Sequence, residues 1–378
     1  MRTVGVEEEL LLVDRESGEP RALSSAVLAR AARDTKAGSA VEKQADDYRE
    51  PEEETFEREL HGEQLEFATQ PRTSMDDLAK EVDRWRGDAA RHAGDVGGAV
   101  AALATSPLPV SPSVNAGSRF QWMEEQFGLT TQEQLTCGCH VHVSVDSDEE
   151  GVAVIDRIRS WLPVLLALSA NSPFWQGNDS LYSSYRSRVW GRWPMAGPTE
   201  IFGSAARYEE QVEEMVATGV LRDRGMVYFD ARLSHRYPTV EIRVADVCLE
   251  ARSTVLIATL ARALVETAAR DWRADRPPLS HGVASLRLAA WQAARSGPDG
   301  TLLHPTTMRP APGDEVVRSL VDHVRDALED SGDLDRARGT TEDLLKHGNG
   351  ARVQRDLLRR TGSLREVVAE CVRRTRPA

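Results

Sequence analysis

Four segments of the chain alternate between apolar and reactive side chains, which is the pattern of a β-strand with one buried face. They run from Thr3 to Val13, Glu63 to Thr69, Cys137 to Asp146 and Thr239 to Asp246. Val, Leu, Ile or Phe occupies one face of each segment, and Glu, Gln, His or Arg occupies the other. A chain with this pattern has to pack one face of a sheet on a core, so its chemistry is confined to the opposite face.

The predicted reactive face is unusual in its composition. In chain order it carries Glu7, Glu9, Gln64, Glu66, His140, His142, Glu241 and Arg243. Crowded carboxylates raise one another's pKa unless a cation lies among them. Carboxylate oxygens together with one or two imidazoles suit Mg²⁺ or Mn²⁺. The alternative, which the pattern leaves open, is an antiparallel sheet whose polar face simply meets water.

The remainder of the chain is helical in its periodicity. The predicted helices are Asp76 to His92, Gly151 to Ala170, Ala205 to Thr218, Arg252 to Trp272, Val283 to Ala294, Asp314 to Glu329, Thr340 to Lys346, Ala351 to Arg360 and Ser363 to Arg374. Strands and helices without a regular βαβ alternation predict an α+β fold with an antiparallel sheet. We expect a single domain over residues 1–378, with the sheet-forming motifs in residues 1–250 and a helical part in 251–378.

Composition excludes several kinds of partner. The 378 residues include 47 Lys and Arg against 60 Asp and Glu, a net charge of −13 that disfavours binding to nucleic acid. The longest apolar run, Trp161 to Ala170, is well short of the roughly 20 residues that span a bilayer. The acidic start of the chain does not predict an export signal. Four cysteines in a chain of this length do not predict a disulfide framework. We therefore expect a cytoplasmic protein with small-molecule partners, and homo-oligomerisation is left open.

Two further segments have distinctive compositions. The acid-rich stretch from Asp46 to Glu59 predicts a solvated loop or exposed helix without a functional role. The stretch from Ser172 to Gly203 combines tryptophans with arginines and has little periodicity, which is typical of a ligand-facing loop. Its arginines match carboxylate or phosphate oxygens in a bidentate fork, although a surface loop of stacked Arg and Trp is the alternative.

The run Cys137-Gly-Cys139-His140-Val-His142 offers two thiols and two imidazoles and so invites a zinc interpretation. Strand alternation argues against it, because the cysteines and the histidines project to opposite faces. Structural zinc sites also need a second pair of ligands at a set spacing. Cys139 is predicted to be a small core residue.

Several of these stretches together resemble the bacterial carboxylate-amine ligases of the glutamate-cysteine ligase type 2 family. The matching stretches are Val4–Leu10, Gln64–Thr69, Cys139–Val143, Leu165–Trp175, Ser184–Arg186, Trp193–Pro194, Arg236–Val247 and Gly348–Arg352. The resemblance implies the fold of the glutamine synthetase superfamily, a curved antiparallel sheet that holds ATP and Mg²⁺ on its concave face. It also implies that ATP phosphorylates a carboxylate and that an amine then attacks the acyl phosphate.

The resemblance assigns candidate roles to individual residues. The metal ligands it implies are Glu7, Glu9, Glu66, His142 and Glu241, with Mn²⁺ as an alternative to Mg²⁺. Arg243, Arg186 and Arg188 become candidate catalytic groups that hold the transferring phosphoryl group and the acceptor carboxylate. Tyr185, Trp190, His140 and Gln64 become candidate substrate-binding residues, and His140 is a second choice to His142 as a ligand. One departure is in the second strand, where many relatives read Glu-Ser-Gln-x-Glu and this chain reads Gly62-Glu63-Gln64-Leu65-Glu66. The acid has moved by one position to Glu63, which turns its side chain to the other face of the strand, so Glu63 is not expected to replace the usual carboxylate.

The sequence therefore predicts an ATP-dependent ligase that joins a carboxylate, most simply the glutamate γ-carboxylate, to an amine such as cysteine or another amino acid. Two other functions are left open. A metal-dependent hydrolase could use the same Glu and His face to activate water. A non-catalytic homologue could bind a nucleotide or an amino acid without turnover.

Overall fold

A computed structural model describes residues 1–35 and 56–376 of the chain. The strands are β1 (Val4–Asp14), β2 (Gln64–Ala68), β3 (Gly98–Ala101), β4 (Gly138–Ser144), β5 (Phe174–Trp175), β6 (Asn178–Asp179), β7 (Ala231–Leu233), β8 (Thr239–Asp246), β9 (Thr301–Leu303) and β10 (Pro310–Pro312). The helices of the first part are α1 (Ser24–Thr35), α2 (Met75–Asp95), α3 (Ser118–Phe127), α4 (Leu129–Gln132), α5 (Asp148–Ile158), α6 (Leu162–Ser169), α7 (Arg186–Trp190) and α8 (Ala205–Ala217). Those that follow are α9 (Ala251–Arg273), α10 (Val283–Ser296), α11 (Gly313–His323), α12 (Arg325–Ser331), α13 (Leu334–His347), α14 (Gly350–Thr361) and α15 (Leu364–Thr375).

The central sheet is antiparallel, in the order β2-β1-β4-β8-β7, and β3 pairs with the far end of β1. Its register places Glu9 opposite Glu66 and Glu7 opposite His140. His142 lies between Gly5 on one side and Glu241 on the other. The α+β prediction with an antiparallel sheet is confirmed.

The four predicted strands lie within two residues of the observed bounds, but two members of the sheet were not predicted. All four residues of β3 are buried, so this strand has no polar face and no alternation to detect. Strand β7 has three residues, which is too short for a periodic pattern. The first helix, Ser24–Thr35, and the helix Ser118–Phe127 also went undetected.

Two predicted helices are each divided in the structure. The predicted helix from Gly151 to Ala170 is wrong as a single element, because α5 ends at Ile158 and α6 begins at Leu162. Pro163 stands in the first turn of α6, where the missing amide hydrogen costs nothing. The helix predicted from Asp314 to Glu329 is divided at Val324.

The apolar face of the sheet packs on helices, chiefly α9. Val6, Val141 and Ile242 belong to the same buried cluster as residues 255–265 of this helix. A second cluster packs α2 and α15 around β3 and the far half of β1. Within the described residues, no helix is both long enough and apolar enough to cross a membrane.

A buried ion pair lies on this core side of the sheet. Glu8 points away from its neighbours Glu7 and Glu9 and is fully buried, as is its partner Arg86 of α2. Two Arg86 nitrogens lie 2.8 and 2.7 Å from the two Glu8 oxygens, and the guanidinium also donates to the carbonyls of residues 248 and 249, just before α9. The pair therefore connects β1 to α2 and to the start of α9.

We expect Arg86→Met to lower the free energy of unfolding by about 3–5 kcal/mol, because it leaves the Glu8 carboxylate buried without its cation. Urea unfolding followed by circular dichroism measures this change. Arg84→Met is the matched control, since Arg84 lies in the same helix with a 44% exposed side chain, and its loss should cost less than about 1 kcal/mol. Equal effects of the two substitutions would contradict the role given to the buried pair.

Candidate active site

The sheet brings the predicted reactive residues together on the face opposite the core. Strand pairing alone aligns Glu66, Glu9, His140 and Glu7 in neighbouring positions, and Glu241 follows across His142. Glu9, His140 and Glu241 are buried, whereas Glu7 and Glu66 are half-buried. Carboxylates and imidazoles that lie far apart in the chain therefore share one partly dehydrated surface.

Glu7 and the two histidines of β4 form a polar group in the middle of this face. His140 Nδ1 lies 3.1 Å from Glu7 Oε2, and His142 Nε2 lies 3.2 Å from Glu7 Oε1. Burial opposes charge on both Glu7 and His142, but their mutual attraction outweighs it, so the pKa of Glu7 is well below its ordinary value and the pKa of His142 is raised. Burial and the nearby Arg243 lower the pKa of His140. His140 is thus the more readily neutral ring, and a neutral imidazole is the form that binds metal.

A second group contains carboxylates with little positive charge among them. Burial, followed by repulsion from Glu59, raises the pKa of Glu66 well above its ordinary value, and the same two causes raise the pKa of Glu9. Glu57 pairs with Glu66 through backbone hydrogen bonds, but the residue itself is exposed. Ionising all of these groups together requires a cation.

The participation of Glu57 and Glu59 corrects the prediction for the acid-rich segment Asp46 to Glu59. Residues 46–55 lie outside the described residues, but the end of the segment belongs to the site. The pairing of residue 57 with β2 carries Glu59 toward Glu66, and burial raises the pKa of Glu59. A run of acids carries no strand periodicity, so the sequence pattern offered no signal for this placement.

Two sets of potential metal ligands lie on this face. One comprises Glu7, His140 and Glu241, and the other comprises Glu9, Glu66 and His140. In each set, the ligand atoms lie within 4.8 Å of one another. His140 belongs to both sets, whereas His142 belongs to neither. The geometry thus favours His140 over His142, which reverses the order expected from the sequence.

Glu241 is held between two arginines. Arg232 of β7 binds both of its oxygens, at 2.7 and 3.2 Å, and Arg243 donates to Oε1 from the other side. Burial opposes ionisation of Glu241, but the two guanidinium groups outweigh it and keep its pKa well below the ordinary value. Arg232 was missed by the sequence analysis because it lies in the three-residue strand β7 that went undetected.

The loop from Ser172 to Gly203 places Arg186 over this face. Arg186 is 2% exposed, and its Nη1 atom lies 4.0 Å from Asp246 Oδ1. A Cβ atom at Gly138 would lie 2.3 Å from the guanidinium, so this glycine allows the arginine to cross the start of β4. The Gly138 amide donates to Glu9 at 2.7 Å, which joins the arginine loop to the carboxylates.

Aromatic rings lie beside the arginines of this face. The Trp190 ring lies 5.6 Å from the Arg186 guanidinium carbon and 5.7 Å from that of Arg243. Tyr228, which was not predicted, packs on Trp190 at 4.9 Å. Tyr185 instead packs between Trp175 and Tyr182, in a separate group of rings.

Other candidates from the sequence lie outside this group. The side chain of Gln64 is engaged by His61 and by the Thr136 carbonyl, which indicates a structural role rather than contact with substrate. Glu63 turns away and accepts hydrogen bonds from the Ser113 amide. Arg188 forms no ion pair with the carboxylates among the described residues, and its guanidinium Nε lies 3.4 Å from Ser187 Oγ. Cys139 is a core residue as predicted, and no cysteine of the described residues joins a potential metal site.

Comparison with known proteins shows which family the chain belongs to. The model of the family described as glutamate-cysteine ligase family 2 (GCS2) matches residues 3–370. A Streptomyces avermitilis protein named "Putative glutamate–cysteine ligase 2-1" is 68% identical over 375 residues, which cover 99% of both chains. A Streptomyces coelicolor protein named "Putative glutamate–cysteine ligase 2" is 65% identical over 378 residues, which cover both chains fully.

Solved structures establish the fold independently. The glutamate–cysteine ligase of Francisella tularensis in complex with AMP aligns with a TM-score of 0.66 and 12% identity, over 99% of this chain and 88% of that one. A bifunctional glutathione synthetase from Pasteurella multocida aligns with a TM-score of 0.68 and 14% identity, over 99% of this chain and 52% of that one. The fold is therefore the glutamine synthetase-like ligase fold, as the resemblance implied. From the family match over nearly its whole length and relatives at 65–68% identity, the chain belongs to the glutamate-cysteine ligase family 2 and is an enzyme of the ATP-dependent carboxylate-amine ligase type.

Proposed function

We propose that the protein activates the γ-carboxylate of glutamate with ATP and joins it to an amine, such as that of cysteine or another amino acid, to form a γ-glutamyl amide. The observation that carries the proposal is the combination of two ligand sets that share His140 with two buried arginines, Arg243 and Arg186, which lie beside them near the Trp190 ring. Phosphoryl transfer to a carboxylate requires both, because negative charge is concentrated on the phosphates and on the acceptor. The names of the relatives at 65–68% identity favour glutamate and cysteine as the substrates.

The described residues fit a divalent cation of the magnesium type. Their donors are carboxylate oxygens with one imidazole, and the carboxylates with raised pKa values need a positive charge to ionise together. Glu7 and Glu241 with His140 would hold one ion, and Glu9 and Glu66 with the same ring would hold a second or share it. When bound, Mg²⁺ supplies charge neutralisation for the phosphates of ATP.

Arg243 and Arg186 are the groups that would bind the transferring phosphoryl and the acceptor carboxylate. Arg243 is buried and is oriented by Glu241, which leaves its Nε atom without a hydrogen-bond partner. The Nε atom of Arg186 is likewise buried and without a partner. Buried donors of this kind stabilise developing negative charge strongly, since they pay little reorganisation during the reaction. An acyl phosphate formed between them would meet the amine beside Trp190.

We expect Arg243→Ala and Glu241→Gln each to reduce glutamate- and amine-dependent ADP formation by about 100-fold or more, the effect typical of losing a preorganised charged group. Coupled detection of ADP, with mass identification of the amide product, measures this. Arg192→Ala is the matched control, because Arg192 lies in the same loop as Arg186 but pairs with the exposed Glu133.

Retention of turnover in both active-site variants would contradict the site. Release of product from an amide or ester without consumption of ATP would instead favour the metal-dependent hydrolase. Binding of Mg²⁺-ATP by the wild-type protein without turnover on any amine would indicate the non-catalytic homologue.

A second prediction concerns the stability of the metal-free protein. The pKa of Glu66 is raised above 4.5 in the folded state, mainly by burial and by Glu59, so the folded protein keeps this proton while the unfolded chain loses it. The free energy of unfolding therefore falls as pH rises from 4.5 toward the raised pKa. Glu66→Gln should remove this loss and stabilise the metal-free protein at neutral pH by roughly 1 kcal/mol.

Added Mg²⁺ should make the wild type the more stable of the two proteins. It should raise the melting temperature of the wild type more than that of Glu66→Gln, because the cation binds the ionised carboxylate. Thermal unfolding with EDTA or with Mg²⁺ measures both effects. Glu16→Gln, at an exposed position of the first turn, should change neither the stability of the metal-free protein nor its response to Mg²⁺. A melting temperature of the wild type that does not change when Mg²⁺ is added would contradict the metal assignment.

A further inference from the structure

Asp246, the last residue of β8, is a fully buried carboxylate to which the proposed reaction gives no role. It lies an odd number of positions after Glu241, so regular alternation would place it on the core face of the sheet. The pairing is irregular, however, because residues 139–141 of β4 are matched by residues 242–245 of β8. The extra residue in β8 is a β-bulge. Beyond the bulge, Asp246 lies opposite Gly138 and so shares the reactive face with Glu241.

The Asp246 carboxylate accepts three hydrogen bonds from the segment that leads into α7. Its Oδ2 atom accepts from the Asn171 amide at 2.8 Å and from Ser172 Oγ at 2.7 Å, and its Oδ1 atom accepts from Ser184 Oγ at 2.8 Å. All three donor residues are fully buried. Burial raises the pKa of Asp246, and Arg186 together with these donors opposes that shift by favouring the charged form. The carboxylate thus joins three points of the segment to the end of β8.

The same network holds both the backbone and the side chain of Arg186. The Ser172 hydroxyl, which donates to Asp246, accepts a hydrogen bond from the Arg186 amide at 2.9 Å. Arg186 Nη1 lies 4.0 Å from Asp246 Oδ1, and the guanidinium crosses Gly138, the residue opposite Asp246. The Gly138 amide binds Glu9, so the pair of Asp246 and Arg186 adjoins the carboxylates of the site.

Helix α14 supports this segment from the side away from Asp246. Gln354 Nε2 donates to Asn171 Oδ1 at 2.7 Å and to the Asn171 carbonyl at 3.0 Å. A Cβ atom at Gly350 would lie 2.0 Å from Asn171 Oδ1, so a side chain at that position would displace Asn171. A connected set of buried hydrogen bonds restricts the positions open to its members. Asn171 is therefore held between Gln354 and Asp246, and the frame around Arg186 is fixed from two sides.

We propose that Asp246 is a positioning residue for Arg186, which it holds over Gly138 so that the guanidinium meets the substrate anion without reorganisation. The inference rests on the proposed function, in which Arg186 binds the transferring phosphoryl group or the acceptor carboxylate. Asp246 itself touches no substrate in this proposal. Its contribution is to orientation, which a displacement of about 1 Å is enough to lose.

A double-mutant cycle on kcat tests whether Asp246 acts through Arg186. Asp246→Asn keeps the shape of the side chain and removes its charge. The kcat of glutamate- and amine-dependent ADP formation should therefore fall by about 10- to 100-fold, the usual loss for hydrogen bonds to a charged group. In Arg186→Ala, which has no guanidinium to position, the same substitution should lower kcat by less than about twofold. Equal losses in the two backgrounds, or no loss in either, would overturn the proposal.

Two further variants separate positioning from stability. Asp156→Asn removes another buried carboxylate, which accepts the amides of residues 202 and 203 at the far end of the same loop. It should lower the melting temperature but change kcat by less than about twofold, and a loss of kcat equal to that of Asp246→Asn would contradict positioning. Ser184→Ala removes one donor to Asp246 and should lower kcat by about fivefold, again only when Arg186 is present, which preserves the test if Asp246→Asn does not fold.

Crystal structures of the wild type and of Asp246→Asn, or of Ser184→Ala if the first variant does not fold, provide a readout that needs no turnover. Displacement of the Arg186 guanidinium by more than about 1 Å supports positioning even if no amine is joined to glutamate. Failure of the proposed reaction is thus distinguishable from failure of this inference. A guanidinium that keeps its place over Gly138 in the variant would overturn the proposal.

Discussion

The geometry of the site depends on the direction in which three consecutive glutamates of β1 point. Glu7 and Glu9 face the reactive surface, and Glu8 turns to the core, where Arg86 satisfies it completely. A shift of one residue in the pairing of β1 would leave Arg86 buried without its partner and would turn two unpaired carboxylates toward the core. The buried pair therefore specifies the register in which Glu9 meets Glu66 and Glu7 meets His140.

The reactive face contains two electrostatic environments, and they differ in how their charge is balanced. At the β8 end, Glu241 lies between Arg232 and Arg243, so it is ionised without help from any ligand. At the β2 end, Glu66 lies among carboxylates, and burial together with Glu59 favours its protonated form. Under the proposed function, the arginine end would bind the transferring phosphoryl group, and the carboxylates of the β2 end need a cation to ionise together. The gradient of charge across the sheet is consistent with an enzyme that orients ATP by its phosphates and metal.

Much of the sheet could be predicted because its chemistry is periodic. The alternation in β1, β2, β4 and β8 located Glu7, Glu66, His140 and Glu241 from local pattern alone. The same reasoning missed Arg232 in a three-residue strand and missed Glu59 at the end of an acid-rich run. It also preferred His142 to His140, because alternation places both rings on one face without indicating which is closer to the surrounding carboxylates.

The sequence by itself determined the α+β class, the family, four strands of the central sheet and the face of each of these strands that carries the reactive groups. These properties follow from side-chain alternation and from residue order, which are local in the chain. The tertiary structure decided which distant carboxylates and imidazoles lie within reach of one another, and which arginines hold Glu241. The first relation depends on pairing between β1 and β4, whose paired residues lie more than 100 positions apart. The second depends on a strand of three residues, which is too short for a periodic pattern, so side-chain alternation reveals neither relation.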